Sequence, residues 1–390
     1  MSSRRRLAVG LLSVAALAIA WPVLGDATLA ALLLVQVASP MDSGPLYRVT
    51  GAPQRETVTF PGGGRTMVAT LYRSPGRGAG IGVILVHGVN ETGKDDERIV
   101  WLADLLARSG FTVLTPDFLG FKSLTLRSSD VEELVASIRY LVGRLQGVPQ
   151  ERVGLIGFSY GAGPTIIAAA DARVRDRVRF VVSFGGYYDL TNVITFITTG
   201  YYEFGVIHGR ITPNEYVRWI FLRYNLGLIP ATRDRMILQE IAEAKASNFN
   251  VDADPLATTL SPEGHATYDL LVNRDPGRVP DLIGNLGANI REQIRFLSPA
   301  RVMGQFQGRL FVVHSDPDDF MPLTESLRLA AALEERGNVH LAVLRTFEHV
   351  RPSFPSLTVG NFLRVYVPEG GKLFWLVFDL LRQRRGGWWT

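Results

Sequence analysis

The 390-residue chain contains no cysteine. That excludes disulfide bonds, thiolate zinc sites and cysteine nucleophiles together, and it leaves the redox compartment undecided. An excess of either charge is also lacking. The 41 lysines and arginines stand against 37 aspartates and glutamates, no basic stripe is interleaved with aromatics, and nucleic acid is not an expected partner. Histidine is scarce, with six residues, and no histidine–carboxylate cluster has metal-ligand spacing. The glycines from Gly157 to Gly163 match neither a Walker loop nor a dinucleotide loop. No metal and no cofactor are therefore expected. Apolar residues are not scarce: at 47% hydrophobic and 20% charged, the chain is not disordered and can bury a large core.

The first 45 residues read as a membrane-directing segment and linker. Arg4, Arg5 and Arg6 precede an uncharged run from Leu7 to Gly25, which as a helix would span about 28 Å, close to the thickness of a hydrocarbon core. A retained anchor is the leading reading, and a cleaved signal, with Ala18-Ile19-Ala20 at cleavage spacing, is the second. Either one leaves the arginines in the cytoplasm and the rest of the chain outside it, membrane-anchored or secreted. A second apolar run, Ala27 to Ala38, is too short to span alone and reads as an interfacial continuation of the anchor; a helical hairpin made of both runs is the third possibility.

From about Tyr47 strands alternate with helices. "ETVTF" and "MVATLYR" flank a glycine-rich turn; "GIGVILVHG", "FTVLTPDF", "RVGLIGFS" and "VRFVVSFGG" read as strands, and "IVWLADLLARSG", "VEELVASIRYLVGRL" and "GPTIIAAADA" as helices between them. This alternation implies an α/β fold with a mostly parallel sheet covered by helices on both faces. It stops near Leu190 and resumes with strand "RLFVVHSD", helix "LTESLRLAAALEERG" and strand "HLAVLRTF". Residues 46–190 and 306–390 are thus expected to form the core and 191–305 a helical insertion. The tail "GGKLFWLVFDLLRQRRGGWWT" is apolar on nearly every side and reads either as a last helix covering the sheet or as an interfacial anchor.

Within this frame, Gly157-Phe158-Ser159-Tyr160-Gly161 puts a serine where a central strand turns into a helix. Glycines at minus two and plus two permit the turn, and the following helix N-terminus offers free N–H groups to a developing oxyanion.

These residues, with His87-Gly88 after the third strand, "HSDPDDFMP" after the penultimate one and "FEHVRP" after the last, resemble the α/β-hydrolase family over residues 47 to 189 and 306 to 365. The resemblance implies a Ser159 nucleophile, an acid, then a histidine in that order. It also implies an oxyanion hole from the backbone N–H groups of Tyr160 and Val89, with Asn90 and Glu91 near the same mouth. Ser159 in place of cysteine or aspartate sets the chain apart from dienelactone hydrolases, haloalkane dehalogenases and epoxide hydrolases. Among the histidines, His349 alone lies in a loop past the C-terminal end of the last strand, the edge where Ser159 emerges. Counting the family pattern from His314 to Pro322 puts the acid on Asp318, although Ser315 replaces the usual glycine. Asp316, Asp319 and, after the sixth strand, Asp189 remain open.

The expected activity is a serine hydrolase of carboxylic esters or related acyl bonds, acting on a small-molecule acyl substrate through an acyl-enzyme. Acyl-peptidase and thioesterase activities, or a non-catalytic binding protein on the same fold, are the alternatives. The insertion reads as a lid over the mouth, with Tyr201, Tyr202, Phe204, Trp219 and Phe221 as candidate lining residues.

Overall fold

The computed structural model describes residues 22–39, 43–74, 81–123, 125, 127–145, 152–356 and 358–384. Eight strands form one sheet in the order β1-β2-β4-β3-β5-β6-β9-β10: β1 (Gln54–Gly62), β2 (Arg65–Arg73), β3 (Gly82–Val86), β4 (Thr112–Pro116), β5 (Val153–Phe158), β6 (Val178–Phe184), β9 (Arg309–Ser315) and β10 (Val339–Leu344). Only the pairings of β2, with β1 and with β4, are antiparallel. The six strands from β4 to β10 are parallel, which requires right-handed helical crossovers and burial on both faces.

Alternation along each strand sends side chains to two separate cores. Ile84, Val86, Leu155, Leu310 and Val312 meet helices α5 (Ser129–Arg144), α6 (Ala162–Ala169) and α14 (Leu323–Ala331). Val83, Leu85, Ile156, Phe311 and Val313 meet a helix over residues 22–37, α1, with α3 (Glu97–Arg108) and α16 (Val367–Arg382) on the opposite face. Shorter helices α2 (Pro45–Val49), α4 (Leu119–Lys122) and α15 (Val359–Asn361) complete the layers.

One reading of the chain ends changes and another is decided. The run from Ala27 to Ala38 belongs to α1, which packs on the sheet layer instead of lying in an interface. Its Ala30 and Leu33 are buried in the core, and buried Asp26 pairs with Arg384. The tail forms α16, with Leu376, Phe378 and Leu381 buried against the sheet, so the covering-helix reading is the one realised; Trp388 and Trp389 lie outside the described residues. Residues 1–21, and with them most of the expected anchor, also lie outside. Among the described residues no helix is long and apolar enough to cross a membrane.

Between neighbouring strands β6 and β9 the chain builds α7 (Leu190–Thr199), a hairpin of β7 (Tyr201–Phe204) and β8 (Ile207–Arg210), then α8 (Glu215–Asn225), α9 (Thr232–Ser247), α10 (Asp254–Ala257), α11 (Pro262–Val272), α12 (Val279–Gly284) and α13 (Ala288–Phe296). The apolar spacing of "LTNVITFITTGYYEFGVIHG" reads as helix throughout, but the helix stops at Gly200. Gly200 caps α7 with φ +73, and tight packing against the carbonyl of Ile211 leaves no room for a side chain there. The insertion has a core of its own around Trp219, Leu222, Leu238, Ile241 and Leu271.

Candidate active site

Ser159 follows β5 directly and starts a 3-10 turn, Ser159–Gly161, that runs into α6. Its φ is +51, a left-handed conformation unusual for a side chain other than glycine, and this lifts the hydroxyl clear of the sheet edge. The flanking glycines are demanded by contact. A Cβ on Gly161 would lie 2.5 Å from the carbonyl oxygen of His87, and one on Gly157 would lie 2.7 Å from the Cα of Ala162.

His349 also has a positive φ, +54, in the loop after β10, and its ring lies between two partners. Nε2 is 2.7 Å from Ser159 Oγ. Nδ1 is 2.7 Å from Asp318 Oδ2. A carboxylate only accepts, so the proton sits on Nδ1 and Nε2 is left to accept from the serine hydroxyl. Three loops from three strands, β5, β9 and β10, thus converge at the C-terminal edge of the sheet.

Of the candidate acids, Asp318 is the one whose carboxylate reaches His349. Its side chain is 1% exposed. Oδ1 accepts the backbone N–H groups of Phe320 (2.9 Å) and Met321 (3.0 Å), and Oδ2 also accepts from Ser315 Oγ at 3.2 Å. Burial would raise its pKa, but the His349 hydrogen bond, the electrostatic effect of the neighbouring His349 and His314 imidazoles and the N–H of Phe320 outweigh burial and hold the carboxyl below its ordinary range. Asp319 is exposed and accepts from Asn214 Nδ2 at 3.2 Å. Asp189 caps α7 through the N–H of Thr191. The N–H of Asp316 bonds Leu344, and no bond joins its side chain to His349 among those described.

The N–H of Tyr160 is the second of its turn, without an acceptor inside that turn. The N–H of Val89 donates to no backbone carbonyl in the described structure. Asn90 folds back into its own loop, accepting from Gly93 N–H (2.6 Å) and Thr92 Oγ1 (2.8 Å). The proposed lining residues scatter. Tyr201, Tyr202 and Phe204 lie on the β7–β8 hairpin, where Phe204 carries Arg328 of α14 over its ring and Tyr202 meets Phe196. Trp219 is buried in the insertion core, and Phe221 lines an apolar cavity between the insertion helices. Among the described residues no group of three ligating side chains can hold a metal ion.

Three further residues are given no functional role in the sequence reading. The ring of Phe320, 42% exposed, stacks on His349 at 5.2 Å, and its place two residues after Asp318 was the only available signal. His314 lies fully buried behind Asp318, accepting from Ser326 Oγ at 2.7 Å while its Nε2–H meets the Met321 carbonyl at 3.1 Å; burial lowers its pKa and keeps it neutral. Glu325 is also fully buried. It accepts the N–H groups of Tyr188 (2.9 Å) and Asp189 (2.8 Å) and the Asn192 amide, and burial raises its pKa to about 7 against those hydrogen bonds.

A family model described as the alpha/beta hydrolase fold matches residues 82–342, more than half of the chain. A Mycobacterium tuberculosis H37Rv protein, named as a candidate phosphoribosyl transferase, is 32% identical over 154 residues, which is 38% of this chain and 34% of that protein. The chain therefore spans about a third of the length of the curated relatives it matches. Among solved structures, the uncomplexed acylaminoacyl peptidase of Pyrococcus horikoshii aligns at TM-score 0.51 and 14% identity, over 88% of this chain and 44% of that one. An esterase of Pyrococcus furiosus aligns at TM-score 0.47 and 14% identity, over 86% and 94%. At 14% identity the likeness to the peptidase speaks to the fold alone.

Proposed function

We propose that this chain, which belongs to the α/β-hydrolase fold family, is a serine hydrolase that cleaves carboxylic esters or related acyl bonds through an acyl-enzyme. The observation that carries the reading is the continuous hydrogen-bonded chain from Ser159 Oγ through His349 to Asp318, with both contacts at 2.7 Å. Ser159 Oγ attacks the acyl carbon as its proton passes to His349 Nε2, and the carbonyl electron pair moves onto oxygen, facing the N–H groups of Tyr160 and Val89. Collapse returns that pair, breaks the bond to the leaving group and delivers the His349 proton to it. Water then repeats the sequence on the acyl-serine, releasing the acid. Asp318 holds the imidazole in its productive tautomer throughout.

Fluorophosphonate labelling of the purified protein tests this directly. Wild type is expected to label and Ser159→Ala to stay unlabelled with an unchanged far-UV spectrum; equal labelling of the two refutes the assignment. Turnover of matched esters, thioesters and anilides then ranks esterase, thioesterase and acyl-peptidase activities on the same triad. The named activity of the tuberculosis relatives is not carried over, because the chain spans about a third of them. Membrane tethering through Leu7 to Gly25 is part of the same proposal and rests on the sequence, together with the exposure of Val23 and Leu24 where α1 begins. Resistance of the cell-bound protein to alkaline extraction is expected, and recovery of a soluble chain starting at Trp21 would replace the tether with a cleaved signal.

A further inference from the structure

Inside the insertion, α7, α8, α11 and α13 enclose a cavity of about 80 Å³, walled by Ile194, Phe221, Leu271, Ile290, Ile294 and Leu297 among others. No charged residue lines it. Of its four polar residues, three bond their own helix backbones: Thr198 Oγ1 the Ile194 carbonyl at 2.8 Å, Thr267 Oγ1 the Glu263 carbonyl at 3.3 Å, and Asn225 Nδ2 the Phe221 carbonyl at 2.7 Å; the fourth is Gln293, which has a partner too. Asn225 Oδ1 is left as one buried acceptor with no donor from the described residues.

No triad residue lines the cavity, but its walls connect to the site. Helix α8 forms one wall, and its N-cap Asn214 bonds Asp319 beside the acid loop. Near its other end Tyr224 has its phenol pKa raised by burial first and by the Glu91 carboxylate of the oxyanion loop as well. On the floor, the Leu297 carbonyl accepts from Tyr187 Oη at 3.0 Å, and the Tyr187 ring lies against that of Tyr160, the residue after Ser159.

We propose that this cavity is a binding site for an aliphatic chain of about four to seven carbons with an uncharged, hydrogen-bond-donating head, such as a primary alcohol. The length follows from the volume, since each water-sized group occupies roughly 10–15 Å³ on this scale. The apolar wall selects the chain, and Asn225 Oδ1 selects the donor. A charged head is excluded because nothing in the wall compensates its desolvation. The site stands apart from the hydrolase reading, because occupancy is measurable without turnover.

The test is binding of n-butanol, n-hexanol, n-octanol and n-decanol to the full chain and to Ser159→Ala, followed by calorimetry and by the emission of Trp219, which shares the insertion core with Leu222 and Leu271. Affinity should rise about fourfold per carbon and level off near seven. Ile294→Phe and Leu271→Phe, each filling the void, should weaken octanol binding more than tenfold, with the melting temperature of the free protein held because the ring enters empty space. Asn225→Leu should weaken octanol about fivefold and leave octyl methyl ether unaffected. Affinity that ignores chain length, or octanol binding that survives in a folded filled variant, overturns the site. Competitive inhibition of p-nitrophenyl butyrate turnover by octanol would identify the chain as part of a substrate, and a change in kcat alone would identify a separate effector; either result supports the site.

Discussion

Asp318→Asn changes one heavy atom, and the structure dictates how the amide must sit. The Oδ1 position faces two backbone N–H groups, from Phe320 and Met321, so the new amide keeps its oxygen there. Its NH2 then takes the Oδ2 position, 2.7 Å from His349 Nδ1. Two donors cannot face each other, so the imidazole proton moves to Nε2, which then points a hydrogen at Ser159 and cannot accept one. Restoring the productive tautomer requires flipping the amide against two backbone N–H groups, at about 1–3 kcal/mol each, and forgoes the charge-assisted bond to the imidazolium, about 1.5–3 kcal/mol. Together these come to about 3.5–9 kcal/mol, or roughly three to seven powers of ten in rate, a range that includes the scale of tautomer reversal in serine proteases. The assay is kcat/KM on p-nitrophenyl butyrate at pH 8, with Asp319→Asn as the control because its carboxylate is exposed and bonds Asn214. The control should stay within about threefold, as expected for a surface substitution. A loss below tenfold for Asp318→Asn, or a larger loss for Asp319→Asn, refutes the reasoning.

Ser159→Gly should be more stable than Ser159→Ala by about 1 kcal/mol in urea unfolding, because a φ of +51 strains alanine and not glycine; equal midpoints would mean the elbow relaxes when the hydroxyl is lost. Gly161→Ala should lower kcat by about 10²–10³ with KM little changed, since the new Cβ pushes the His87 carbonyl and with it the loop carrying Val89 N–H; an unchanged kcat removes Val89 from the oxyanion hole. Asp130 and Glu325 both have pKa values raised by burial to about 7, so the folded chain binds more protons than the unfolded one between their ordinary values and about pH 7, and stability falls over that window as pH rises. For Glu325 the loss is on the order of 3 kcal/mol, so Glu325→Gln should flatten the decline in melting temperature between pH 5 and 7.5, and an unaltered slope would show that this carboxyl does not titrate there.

The strand–helix alternation and the elbow were legible because each is a local pattern: apolar runs of strand length, glycines two positions either side of Ser159, and a histidine just past the last strand. Other features depend on partners far along the chain. Asp26 reads as a break in an apolar run, yet with Ala30 and Leu33 it lies at i, i+4 and i+7, the buried stripe of an amphipathic helix, and its partner is Arg384 near the other end of the chain. A stripe that packs on a sheet and one that lies on a lipid surface have the same spacing, so α1 and α16 could not be assigned by periodicity. The hairpin after Gly200 was hidden for a related reason. Tyr201, Tyr202 and Phe204 fit a helix face until Gly200 adopts its left-handed φ. The choice of Asp318 over Asp319 was legible only through the family pattern counted from His314 to Pro322; the contacts that hold Asp318 in place, to His349 and to the N–H groups of Phe320 and Met321, come from the folded loop and not from composition.

The same dependence on distant partners accounts for how the site holds its shape. Ser159 and His349 both adopt left-handed backbone conformations, each of which costs about 1 kcal/mol or more unless the surroundings fix it. For Ser159 the fixing element is the end of β3, where the following residue, His87, sets its carbonyl against Gly161 and closes its Nδ1–H on the Gly88 carbonyl at 2.7 Å. For His349 it is Gly185 at the end of β6, where a side-chain Cβ would stand 3.1 Å from the imidazole. The neighbours of β5 in the sheet, β3 on one side and β6 on the other, therefore each constrain one of the two reacting side chains. Ser159 Oγ and His349 Nε2 meet at 2.7 Å because the order of strands brings three loops to one edge, and strain in two of those loops is borne by sheet packing that no single segment supplies.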